Sequence, residues 1–203
     1  CLLPLSLMST FNSKNIPADS PEIAIHTSSL IQAKMALKEG QFPIRTAPWE
    51  FNGWGLAWFQ FHSPFSYTLG GEIYKHLSHH DPFVALKICI WLGFMLGGIF
   101  MSRAAFLLTN SPIPAILAGV VYITAPYVSI NINYRGDFTE FFAQMMLPIA
   151  LYFSLLLYSK GIKLFRLFAA SIAWFILATT CIITFMYASF FIGLLLLLMT
   201  LAK

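Results

Sequence analysis

Glu22 and His26 stand four residues apart, so a helix over this stretch puts a carboxylate and an imidazole on one face. Such a pair can take a proton from a hydroxyl, or orient a hydroxyl or a metal ion together. The run Asp19-Ser20-Pro21-Glu22 also matches a capping box, in which Glu22 only bonds backbone N–H groups. Charge gathers again in Tyr134-Arg135-Gly136-Asp137-Phe138-Thr139-Glu140. Arg135 carries a fork of donors suited to phosphate, and Asp137 or Glu140 can hold that fork or contact a sugar hydroxyl. The plainer alternative makes Asp137 a helix cap, Glu140 a first-turn acid favoured by the helix dipole, and Arg135 a side chain snorkelling to headgroups.

Two further groups carry chemical potential. The segment Phe51 to Pro64 mixes glycines with aromatic faces, and Trp54 and Gln60 within it suit the lining of a lipid or sugar site. The same composition also serves as an aromatic anchor at a membrane interface. His76, His79, His80 and Asp81 place imidazoles at helical spacing, as a divalent-ion site requires. Histidines at a helix carboxyl end are equally favourable with no metal. Cys1, Cys89 and Cys181 have no ligand-like spacing and imply neither disulfide nor metal.

The elements that must position these residues are membrane helices. Of 203 residues, 58% are hydrophobic and only 10% charged, far below the roughly 25% of soluble domains. A net charge of +4 without Lys/Arg clustering excludes a nucleic-acid footprint. A run of about 20 apolar residues crosses about 30 Å of hydrocarbon, and several such runs follow Pro82. Spans are expected at about 82–101, 112–128, 141–158, 164–180 and 182–202, with no charge in their interiors; Ser102-Arg103 and the turn-like Thr109-Asn110-Ser111-Pro112 separate the first two. Leu167 to Ala202 is too long and uncharged for one crossing, and Thr179-Thr180-Cys181 is the place assigned to the break. Lys160, Lys163 and Arg166 form the most basic short loop, which the positive-inside rule assigns to the cytoplasm. Counting spans then puts residues 9–81 and 131–140 on the same, extracytoplasmic face, where they can meet.

The expected fold is therefore an all-α polytopic transmembrane bundle with a long extracytoplasmic first loop carrying interfacial helices. One helix should start at Pro21 and stop at Gly40, with Ile23, Leu30, Ile31 and Leu37 as its apolar stripe; another should cover Ser66 to His79. The opening Cys1-Leu2-Leu3-Pro4-Leu5 reads as the end of a truncated first span over residues 1–8, so the chain is expected to be a fragment. With Met8 as an internal start, the polar segment is an amino-terminal arm instead.

Glu22-x-x-x-His26, Ala36-Leu37-Lys38-Glu39-Gly40-Gln41-Phe42-Pro43-x-Arg45, the Gly53-to-Pro64 segment and Tyr134-Arg135-Gly136 with Glu140 together resemble a bacterial family of polytopic membrane proteins. That family is labelled as a membrane domain related to 6-pyruvoyl-tetrahydropterin synthase, and the label is no evidence of pterin chemistry. Its layout is similar to membrane glycosyltransferases of the C type, in which an acid of the first extracytoplasmic loop serves a polyprenyl-phosphate-sugar donor and an acceptor. The resemblance covers residues 15–160. It implies Glu22, His26 and Asp19 as catalytic candidates, and Arg135, Asp137, Glu140, Arg45, Trp54 and Gln60 as substrate or phosphate contacts. It also implies a bacterial inner-membrane location and lipid partners. The chain departs from the pattern where Glu22 replaces an Asp, leaving Asp19 as a competing match, and where Thr179 stands near an expected His.

The leading expectation is sugar transfer from a lipid-phosphate carrier for cell-envelope glycan modification, with Glu22 as base, His26 orienting it and Arg135 on the phosphate. No cofactor is required by this reading, and a divalent metal ion stays open as an option. The alternatives are a transporter or flippase of envelope lipids or glycans, and a non-catalytic scaffold indifferent to Glu22 and Arg135.

Overall fold

A computed structural model describes residue 7 and residues 21–78 and 81–202. Asp19, Ser20, His79, His80, Cys1 and the expected end of a first span lie outside these. The chain is an all-α polytopic bundle. Among the described residues four helices are long and apolar enough to cross a membrane: Pro82–Thr109, Pro112–Arg135, Phe138–Lys160 and Ile182–Leu201. The chain divides into two compact units, one from Cys1–Leu92 with Pro126–Phe142 and one from Gly93–Ala125 with Ala143–Lys203.

In the first unit, α1 (Pro21–Lys38) begins with a proline and an acid in its first turn and ends with Lys38 in its last, each favoured there. It stops because Gly40 takes φ +84°, letting the Gly40 and Gln41 N–H groups bond back to the carbonyls of Leu37 and Ala36 at 3.2 and 3.0 Å. The helix α2 (Pro64–His76) starts at another proline and buries Ser66, Tyr67, Gly70, Ile73 and Tyr74, which recur at helical spacing on one face. That face packs on α1: a Cβ at Gly70 would strike Leu30, and one at Gly71 would meet Leu37 and Ala33. Ile23 and Leu30 of the expected stripe are buried, and Ala33 and Ala36 complete the buried face with the polar Thr27 and Ser29. Between α1 and α2, a single antiparallel bridge, Ala47 to Leu56, pins the aromatic loop. Phe51 and Asn52 hold left-handed backbone within it.

Helix α3 (Pro82–Thr109) is 28 residues long, about 42 Å at ~1.5 Å per residue. Asp81 caps it, accepting from the Phe83 N–H at 2.8 Å, so this acid has a structural task outside any histidine site. The helix runs past its expected end at Met101 and stops at the expected Thr109-to-Pro112 turn. Helix continues through Ala104, Leu107 and Leu108, all good helix formers, and reverses only at Asn110, whose φ is +50°. Arg103 therefore lies inside this helix rather than beyond its end, and with Lys87, which already fell within the expected span, it corrects the expectation of uncharged interiors. About 24 Å of helix separates them, short enough for both side chains to snorkel to opposite interfaces.

The second unit is held by close backbone approach and a few polar contacts. In α4 (Pro112–Ile123), Gly119 lies against Ser102 and the Gly98 carbonyl, and Gly97 lies against Met145 of α5 (Phe138–Lys160). Tyr122 donates to the Gln144 carbonyl at 2.6 Å, and Trp174 of α6 (Leu164–Thr180) donates to Ser154 at 3.1 Å. Arg166 bonds the carbonyls of Lys160 and Gly161 at the end of α5. Cys181, in extended conformation at φ −155° and ψ 115°, breaks the long apolar run between α6 and α7 (Ile182–Leu201). Phe168, Phe175, Ile183, Phe190 and Leu197 on these last helices are exposed, as lipid-facing side chains are.

Candidate functional site

The site belongs to the first unit and is assembled from α1 and the segment before α5. After α4 the chain forms a short helix, Pro126–Ile130, then a π-helical turn, Asn131–Arg135, and then Gly136 at φ +72°. Gly136 is needed twice over. Only glycine takes this backbone without cost, and a Cβ there would collide with Ile23 of α1. The missing side chain lets the loop close on α1 and brings Asp137 to His26, with 3.6 Å between His26 Nε2 and Asp137 Oδ1.

The other ring nitrogen of His26, Nδ1, lies 2.6 Å from the buried Tyr67 hydroxyl. Nε2 faces Asp137, so the ring joins the Tyr67 hydroxyl on one side to a carboxylate on the other. Burial raises the Tyr67 phenol above its ordinary value; a Ser29 hydrogen bond opposes this and the nearby Asp137 charge adds to it, so the phenol keeps its proton. Asp137 is half-buried, and burial disfavours its charge. Hydrogen bonding and charge from His26, with hydrogen bonds from the Glu140 N–H and the Thr139 hydroxyl, outweigh that and hold its carboxyl well below the usual carboxylate range. The two Asp137 Oδ1 bonds from Glu140 N–H and Thr139 are both 3.0 Å long. Asp137 is thus the cap of α5 and the partner of His26 at once.

Arg135 is clamped by acids. Its Nη1 donates to Glu140 at 2.9 Å and to Asn131 at 3.0 Å, and its Nη2 sits 3.4 Å from Asp137. Its side chain remains 42% exposed and open to a ligand. Tyr127 donates to the other Glu140 oxygen at 2.6 Å, so two elements fix this carboxylate. Glu22, His26 and Asp137 each offer one ligand atom, all within 4.8 Å of one another. Two carboxylates and an imidazole suit a borderline divalent ion such as Mn²⁺ or Zn²⁺, which would supply charge neutralisation for a phosphate.

The remaining expected contacts lie elsewhere. Arg45 and Gln60 are exposed and Trp54 is 91% exposed, and none of them joins the cluster through a hydrogen bond or ion pair among the described residues. His76 is exposed and pairs with Glu72 at 3.2 Å. Tyr67, Asn131 and Tyr127 were missed by sequence reasoning. Tyr67 lies 41 residues from His26, and no local spacing signals their contact.

Fold and site together define an integral membrane protein of the all-α polytopic class, with a His-carboxylate-Arg cluster where two apolar helices end. Comparison with models of known families, with curated proteins and with solved structures gave no match.

Proposed function

We propose that this chain carries the reaction centre of a membrane glycosyltransferase that draws sugar from a polyprenyl-phosphate carrier at the extracytoplasmic face of a bacterial inner membrane. The convergence of Glu22, His26 and Asp137 within 4.8 Å, beside the Arg135 guanidinium, carries this reading. Transfer needs a base for the acceptor hydroxyl and positive charge for the departing phosphate, and these residue types provide both. The acceptor O–H gives its proton to a carboxylate as its oxygen bonds to the sugar's anomeric carbon. The bond from that carbon to the phosphate oxygen breaks, and its electron pair stays on the phosphate, which Arg135 stabilises. Glu22 is the proton acceptor in this scheme. Asp137 holds His26 and shares Arg135, so it is a positioning residue.

The test is a mass profile of envelope lipids and glycans from cells lacking the full-length gene and complemented with wild type, Glu22→Gln or Arg135→Ala at matched membrane insertion. A mass difference of one sugar that only wild type restores is the expected result. Restoration by both variants would remove the reading and favour transport or a scaffold.

A further inference from the structure

One face of α1 and the pinned aromatic loop line a half-open cavity of about 380 Å³, within the ~300–1,000 Å³ range of small-molecule sites. Ser28, Ser29 and Gln32 of α1 line it on one side, and Glu50, Leu56 and Trp58 of the loop on the other. Gln32 secures the two sides, its Oε1 accepting the Trp49 N–H at 3.0 Å. The Trp58 indole N–H is buried with no hydrogen-bond partner among the described residues, whereas a buried indole N–H ordinarily has one.

We propose that this cavity is a carbohydrate subsite, taking one neutral sugar ring. The lining decides the ligand class. It holds a carboxylate and no Lys or Arg, so a phosphate or other anion is a poor occupant. The Ser28 hydroxyl, the Glu50 carboxylate and the unpartnered Trp58 N–H would gain no hydrogen bond from an acyl chain. Ala24, Ile25, Ala47 and Leu56 give the rest of the lining an apolar character that the C–H face of a sugar can meet. A sugar ring offers an apolar C–H face to an indole and hydroxyls to the other groups. Ser29 connects the cavity to the cluster: it lines the cavity and hydrogen-bonds the Tyr67 phenol, which in turn contacts His26. The subsite deepens the transfer reading above and rests on it for its place in a reaction. A lipid-phosphate sugar would divide between the two, phosphate to Arg135 and sugar to the cavity.

The experiment is saturation-transfer NMR on the full-length protein in lipid nanodiscs, with methyl glycosides of common hexoses and pentoses as probes and dibutyl phosphate as the anionic comparison. Wild type should transfer saturation to the ring protons of at least one glycoside. Trp58→Ala and Glu50→Gln should each reduce that signal at least tenfold. Trp58→Phe, which keeps a ring and removes the unpartnered donor, should reduce it about threefold and also guards against misfolding of the alanine variant. No transfer to any glycoside, equal transfer by all variants, or dibutyl phosphate displacing the glycosides would each overturn the subsite. The envelope profile of Glu22→Gln cells reports separately on transfer. Glycoside binding lost in the Trp58 variants, with the profile restored by Glu22→Gln, would keep the subsite and discard the transfer reading.

Discussion

Asp137 answers to His26, Arg135 and the first turn of α5 at once, and all three demand its charged form. Since its folded-state carboxyl is held below its ordinary value, its charge stabilises the fold at every pH above the unfolded value, about 3.9. That stabilisation disappears as pH falls from there through the folded value. Asp137→Asn should therefore flatten the acid limb of a stability-versus-pH curve taken from about pH 5 to pH 2 in detergent, and an unchanged limb would contradict the assignment. Tyr67→Phe tests the other side of His26. It leaves a buried ring nitrogen without its hydroxyl and should cost about 1–3 kcal/mol, read as a lowered thermal midpoint. Glu22 and His26 were legible as a pair because helical spacing is local. Asp137 was legible as a charged residue between spans, but its contact with His26 joins positions more than a hundred residues apart and follows only from the folded loop.

At the scale of elements, the site depends on how closely the 131–137 segment approaches α1, and Gly136 sets that distance. Gly136→Ala adds roughly 1–3 kcal/mol of left-handed backbone strain and a comparable overpacking cost against Ile23. Gly161→Ala is the matched control, with φ +74° and open space around it, so it should cost only the backbone part. Equal losses in thermal unfolding would show that contact with Ile23 is unimportant. The helices themselves were readable: Pro21 and Gly40 bracket α1, and α2 was expected from Ser66 to His79 but opens two residues earlier at Pro64 and closes at His76. The extension of α3 through Arg103 was not, because a lone arginine reads as a span boundary although its long side chain can reach the interface from within a helix. The break at Cys181 carries no Gly or Pro, so composition marks it poorly.

For the whole molecule, the proposed reaction requires the 21–78 segment and the basic 160–166 loop to face opposite sides of the membrane. Trp54→Cys and Ile162→Cys, both at highly exposed positions, should react with a membrane-impermeant thiol reagent from opposite sides in intact cells and inverted vesicles. Labelling of both from one side would break the topology. The central claim is that the Glu22, His26, Asp137 and Arg135 cluster consumes a lipid-linked sugar, and the donor pool reports on it most directly. Polyprenyl-phosphate sugar should be quantified by mass spectrometry in membranes of cells carrying wild type or Glu22→Gln at equal insertion. Accumulation of one such donor by about tenfold or more in the variant is the predicted result, and a donor pool identical in the two strains would contradict it.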